Sequence, residues 1–238
     1  MNENSLKLNP DKTEFLNVLS PSQQKRFSTL ELNVGGATIQ STKTVKFLGV
    51  VLDQHLSMSG QVTAVIRGCN YHLRNIGKVR PLITTNACKD AIAALVTSRL
   101  DYCSSMLSGI SQHDSRRLQS VQNKAARLVT RTPPTTSITP VLFNLHWLPC
   151  HLRSKFRLMV FVYKCLTNSA PVYLKDLVEL HTPRRRLRSS TDVLRLSSTV
   201  SRNRIREQAF GVAQCLHSGM TSHCQSARLP ISMLSNDF

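Results

Sequence analysis

Acidic side chains are scarce in this chain. Against 31 Lys and Arg stand only 13 Asp and Glu over 238 residues, for a formal charge of +18. Such a balance raises self-repulsion in the compact state and favours a polyanionic partner. Ribosomal-type or membrane-surface binding would satisfy the charge as well, so charge sets a class of partner and nothing finer. Aromatic residues are also few, at 5%, with a single tryptophan, Trp147. The seven cysteines (Cys69, Cys88, Cys103, Cys150, Cys165, Cys215 and Cys224) are odd in number and form no C-x-x-C pair. That pattern argues against a disulfide framework and against a zinc ribbon or finger. The longest charge-free apolar run, Leu158 to Tyr163, falls far short of the ~20 residues a membrane span needs. Met1-Asn2-Glu3-Asn4 lacks the basic-then-apolar order of a signal peptide. No Ser-His-Asp arrangement, phosphate-cradling glycine loop or H-E-x-x-H is present. The expectation is a soluble intracellular protein, nuclear or cytoplasmic, without a membrane partner.

What is present is organised by period. Residues 1–57 read as a small α/β piece. Glu14 to Leu19 and Val45 to Leu52 are rich in Val, Leu and Phe, as strands are. Gly35-Gly36 suits a tight turn. A few strands alone cannot make a stable sheet with a buried face, so this segment reads as the edge of something larger. From residue 58 to about 180 the period becomes helical. Val62, Val65, Ile66, Cys69, Leu73 and Ile76 recur at spacings of three and four. Ala87 to Leu107 continues on Ala91, Leu95, Val96 and Leu100. Asp114 to Thr130 carries Leu118, Val121, Ala125, Leu128 and Val129 on one face, and Pro133-Pro134 stops it. Short helices are predicted at Thr136 to Leu145 and Tyr173 to Leu180, with a longer one opening at Pro149 and running through Leu166. Residues 181–213 form a basic arm with little acid, extended or partly ordered in the absence of an anion. The fold class expected is mainly α: a helical bundle preceded by a small α/β remnant and followed by a poorly ordered basic tail.

Several separated blocks carry a family resemblance. Asn9-Pro10-Asp11-Lys12-Thr13-Glu14-Phe15-Leu16 and Val45-Lys46-Phe47-Leu48-Gly49-Val50-Val51-Leu52-Asp53 resemble the pieces that follow the catalytic carboxylates in non-LTR (LINE-type) retrotransposon reverse transcriptases, which are RNA-directed DNA polymerases. Further on, Ser98-Arg99-Leu100-Asp101-Tyr102-Cys103, Leu118-Gln119-Ser120-Val121-Gln122-Asn123-Lys124-Ala125-Ala126-Arg127-Leu128, Leu145-His146-Trp147-Leu148-Pro149 and Ala170-Pro171-Val172-Tyr173-Leu174 resemble the thumb region of the same elements. The blocks keep their order over roughly residues 5 to 213. The resemblance implies a partial polymerase palm with a primer-grip-like hairpin in residues 1–57, a helical thumb-like domain in 58–180, and a basic arm in 181–213. After Ala213 the pattern is lost. Codons allowed for Cys215 to His223, read in a shifted frame, give Ser-Ala-Leu-Trp-Asn-Asp-Leu-Pro, close to the family's continuation. Residues 214–238 are therefore expected to be an out-of-frame or disordered tail.

Two-metal nucleotidyl transfer needs clustered carboxylates holding the ions ~3.5–4 Å apart. The intact family uses Mg2+ on an adjacent Asp-Asp pair, and no such pair occurs in this chain. No cofactor is expected for the chain by itself, no metal site is assigned, and the catalytic set is not intact. Lys12 is a remnant of the nucleotide side by resemblance, where a lysine approaches the phosphates; the plainer reading is an exposed loop lysine. Phe47, Leu48 and Gly49 resemble the primer grip, or else a strand with a packing glycine. Arg117, Lys124 and Arg131 are seven apart and share a face with Arg127, away from the Leu118–Val121 stripe. That row suits phosphates along a duplex, and an ordinary solvated helix face would look the same. Arg184, Arg185, Arg186 and Arg188 are the arm's candidates for nucleic-acid binding. Trp147 reads as a packing anchor rather than a base-stacking platform.

Three functions remain open on these residues. One is a reverse-transcriptase fragment that binds RNA or RNA–DNA hybrid without catalysis and with weak sequence preference. Another is the C-terminal part of an active polymerase. The third is an unrelated basic helical adaptor for a protein partner.

Overall fold

The computed structural model describes residues 9–19, 23 and 30–176. The basic arm with Arg184, Arg185, Arg186 and Arg188, and the tail from 214 onward, lie outside the described residues. The chain divides into two units, Met1–Ser154 and Lys155–Phe238. The described part is mostly helical with small sheets. Five strands open it: β1 (Phe15–Leu16), β2 (Glu31–Val34), β3 (Ala37–Thr42), β4 (Thr44–Phe47) and β5 (Val50–Asp53). The helices follow as α1 (Ser59–Val79), α2 (Thr85–Ile92), a π turn (Ala93–Thr97), α3 (Ser98–Asp101), a 3-10 turn (Ser104–Gly109), α4 (Gln112–Thr130), α5 (Ile138–Asn144), α6 (Cys150–Leu166) and α7 (Val172–Lys175).

The strands form two small sheets. In one, β3 is central, antiparallel to β2 and parallel to the two residues of β1. Gly35 and Gly36, with φ of 61° and 87°, make the tight turn between β2 and β3, as left-handed backbone at both turn positions requires. The other is the hairpin β4–β5, in which Phe47 stands opposite Val50. Only Phe15–Leu16 of the expected Glu14–Leu19 strand is extended in a sheet, and the single run Val45–Leu52 is two strands folded about Leu48-Gly49.

Asp53 ties the hairpin to the first helix. Its carboxylate accepts from the backbone N–H groups of His55, Ser57 and Met58 and from the Ser57 hydroxyl, at 2.8–3.1 Å. It thereby covers donors just before α1 that no intrahelical carbonyl can reach. Gln61, buried on α1, accepts from the Val51 N–H at 2.9 Å. Val50 of the hairpin sits in the main core beside Met58, Val62, Cys69, Leu73 and Ile76 of the α1 region. The remaining walls of that core come from Cys88, Ile92, Val96 and Leu100 and from Leu118, Val121, Ala125 and Val129 of α4. These are the residues whose spacing marks helical faces in the sequence. A smaller cluster, Ala126 with Val141 and Leu142, joins α5 to α4, and Trp147 packs against both clusters. The expected continuous helix from Ala87 to Leu107 is broken: Tyr102 is extended at φ −63°, ψ 124°, and Cys103 turns left-handed at φ 50°.

Arg80, just past the end of α1, fastens the far end of the bundle and is only 6% exposed. Its Nε donates to the Leu128 carbonyl at 2.8 Å and its Nη2 to the Val129 carbonyl at 2.8 Å. Nη1 reaches the Ile83 carbonyl at 3.1 Å. The Leu128 and Val129 carbonyls lie at the C-terminal end of α4, where carbonyls lack intrahelical donors and the helix dipole favours a cation. A lysine has a single point of charge and cannot reproduce the planar fork. Arg80→Met is expected to cost about 2–4 kcal/mol of stability, because it strands buried carbonyls. Arg80→Lys should recover only a small part of it, as read from urea unfolding midpoints.

Candidate nucleic-acid interface

Helix α4 starts at a cap written in its own sequence. The Ser111 hydroxyl accepts from the Asp114 N–H at 3.1 Å, as an N-cap serine does, and donates to the Asp114 carboxylate at 3.0 Å. Asp114 is buried and holds two more groups. The Ser59 hydroxyl donates to it at 2.7 Å, bringing in the start of α1, and Arg117 Nη1 donates at 2.9 Å. Burial pushes the Asp114 carboxyl upward. The bonds from Ser59, Arg117 and Ser111, with the Arg117 charge, outweigh it and hold the group below its ordinary value. Asp53 follows the same pattern: burial opposes, and the donors of Ser57, His55 and Met58 prevail.

The cationic row on α4 is not a row of free charges. Arg117 is held by Asp114, and its Nη2 also donates to Thr63 Oγ1 on α1 at 3.2 Å. Arg127 Nη1 donates to the Pro133 carbonyl at 2.6 Å. Arg131 lies past the helix end in a left-handed conformation, φ 55°, and its Nη2 donates to the Arg80 carbonyl at 3.1 Å. The face that the sequence offers as a phosphate row, or as an ordinary solvated surface, has three of its four cations engaged by acceptors within the fold. Lys124 is exposed and has no hydrogen bond or ion pair among the described residues. Arg116, which the seven-residue spacing passed over, is exposed on the same helix. Eight residues before Lys124, it lies about 80° from it round the helix, which is why a search for an aligned row omits it.

At the hairpin, Leu48 and Gly49 occupy the two turn positions with φ of 47° and 81°. Gly49 is required by that turn rather than by packing in a strand. Phe47 is 61% exposed and Leu48 75%. Tyr102 donates its hydroxyl to the Leu48 carbonyl at 2.5 Å, and its ring lies where a Gly49 Cβ would meet it at 3.8–3.9 Å. Lys46 is exposed on β4. Lys12 is exposed in the 3-10 turn Pro10–Lys12, which is fastened by Asn9 through the Asp11 N–H and the Thr13 hydroxyl.

Other chemically capable side chains find structural partners. Asp101 is buried and bound by Arg153 of α6 through both carboxylate oxygens. Cys150 Sγ lies 3.3 Å from Gln122 Oε1, and burial pushes its thiol up to about 12. Burial likewise pushes Cys69 up to about 11. Neither is a thiolate nucleophile at neutral pH. Gln119 and Gln122, unremarked in the sequence, seat the start of α6 by meeting the Cys150 N–H and the Leu148 carbonyl at 2.9 Å each. Among the described residues no group of three or more His, Cys, Asp or Glu could hold a metal ion, and no helix is long and apolar enough to cross a membrane. No protein-family model, curated protein or solved structure matches the chain.

Two outcomes are expected of this arrangement. Arg117→Gln should lower stability by about 1–3 kcal/mol, since it leaves Asp114 buried with one donor fewer. Arg116→Gln with Lys124→Gln should leave the thermal midpoint within a degree or two, because exposed unpaired charges contribute little. The lowered carboxyls give the sign of the acid limb. Their stabilisation is present above the unfolded-state value, near pH 4, and is lost as pH falls through the folded values. Asp114→Asn should flatten the decline in unfolding free energy below about pH 4, read by denaturant titration at several pH values.

Proposed function

We propose that this chain is the primer-grip and thumb part of a non-LTR retrotransposon reverse transcriptase, and that by itself it binds RNA or RNA–DNA hybrid without polymerising. The observation that carries the reading is the hairpin Thr44–Asp53. Its sequence resembles the family's primer grip, and its tip presents exposed Phe47 and Leu48 beside a helical bundle in a chain of charge +18. Two of the helical blocks that resemble the thumb contribute Leu100, Leu118, Val121 and Ala125 to the bundle's core, which supports the same reading. Binding is carried by backbone phosphates and has weak sequence preference, since no element among the described residues offers a set of side chains suited to base edges. On α4, Lys124 and Arg116 are the exposed cations without a partner among the described residues, and they take part. Lys46 lies beside the tip. Lys12 has no role without the carboxylates it would serve.

Each neutralised phosphate releases condensed counterion, so affinity for a hybrid duplex should fall steeply as salt rises. Replacing Arg116 and Lys124 by Gln should flatten the slope by about 0.7–0.9 for each phosphate that is no longer neutralised. An unchanged slope would remove α4 from the interface, and salt-independent binding of a protein partner would favour an adaptor. Primer extension in Mg2+ or Mn2+ should be absent, since the chain has no adjacent Asp-Asp pair. Template-dependent incorporation above a heat-killed control would overturn the proposal.

A further inference from the structure

Leu48 breaks a local rule. The first position of a two-residue hairpin turn with positive φ at both sites is ordinarily Asn, Asp or Gly. Here it is a branched apolar residue at φ 47°, and its side chain is 75% exposed. A strained backbone persists where surroundings hold it, and such sites cluster where a molecule makes contact. Among the described residues outside the hairpin, the holding group is Tyr102. Its hydroxyl donates to the Leu48 carbonyl at 2.5 Å across 54 residues of sequence, and its ring covers the open side of Gly49. Tyr102 is itself half exposed, so its burial is not what places it there. Its direction comes from its neighbours. Asp101 is anchored in the interior by Arg153 of α6, while Cys103 turns left-handed at φ 50°. Helix α3 therefore ends with Tyr102 turned outward onto the hairpin.

We propose that Tyr102 is a positioning residue: it clamps the Leu48-Gly49 turn so that Phe47 and Leu48 stand preformed against the nucleic-acid strand. This rests on the proposal that the chain binds an RNA–DNA hybrid. The clamp acts by lowering the ordering cost of the tip on binding and touches no phosphate itself. Its effect therefore lies in affinity and not in salt dependence.

The test is a double-mutant cycle on the full chain, read by fluorescence anisotropy with a labelled RNA–DNA hybrid bearing a recessed DNA end. Tyr102→Phe keeps the ring and removes the donor. It should weaken binding about five-fold, the equivalent of one hydrogen bond, with the salt slope and thermal midpoint unchanged. In a Phe47→Ala, Leu48→Ala background the same substitution should have no further effect, because no tip side chain remains to be positioned. A five-fold loss in both backgrounds, or none in either, would overturn the clamp while leaving hybrid binding standing. A wild-type chain that does not bind the hybrid would overturn the reading beneath it, and the clamp with it. A Tyr102→Phe chain whose thermal midpoint falls by several degrees along with its affinity would make the bond part of the fold's own stability, and would also overturn the proposal.

Discussion

The two long helices α1 and α4 must meet along their apolar faces, and polar groups at both ends fix where they meet. At one end the buried Arg80 guanidinium, just past α1, reaches the last carbonyls of α4. At the other, Asp114 of α4 takes the Ser59 hydroxyl and the Arg117 guanidinium, which in turn reaches Thr63 of α1. Apolar burial is non-directional and would tolerate a slide of one helix along the other. Charge-assisted bonds at both ends do not, because a shift of one turn leaves a buried charge or carbonyl unpaired. The register of α1 on α4 sets the position of everything else. Gln61 then holds the hairpin on α1, and Gln119 and Gln122 hold the start of α6 on α4.

The same polar framework uses up cations that a chain of charge +18 could otherwise offer to a polyanion. Arg117, Arg127 and Arg131 meet acceptors within the fold. A guanidinium already shared between a carboxylate and a hydroxyl gains less from a phosphate than a free one does, since it must first give up bonds of similar strength. The charge that remains for a partner is thus less than the composition suggests, and it is placed differently. The hairpin departs from economy in the opposite direction: an apolar tip stands in water on a backbone that its residue type disfavours, steadied by one tyrosine.

Much of the helical architecture was legible. Val62, Cys69, Leu73 and Ile76, and Leu118, Val121, Ala125 and Val129, recur at helical spacing and line the core. Gly35-Gly36 announced its turn, and the chain before Pro149 led into α6. The break at Tyr102-Cys103 was not legible, since the apolar period runs on through it to Leu107; the helix ends there beside Asp101, which is held by Arg153, 52 residues away. The pairing of Phe15–Leu16 with Ser41–Thr42 was hidden for a related reason. Two residues carry no period, and a parallel partner is chosen by the rest of the sheet.

By itself the sequence determined which faces of the helices turn inward, where several turns fall, the excess of positive charge, and the absence of an adjacent carboxylate pair. These are properties of composition and of spacing within one element, which the backbone's 3.6-residue and two-residue periods convert directly into geometry. Only the tertiary structure decided which arginines are tied and which cations stay free, why Gly49 is glycine, and what holds Leu48 in its turn. Each of those depends on an acceptor or donor brought within about 3 Å by a distant segment, and a periodicity that fixes the face a side chain occupies carries no information about what stands opposite it.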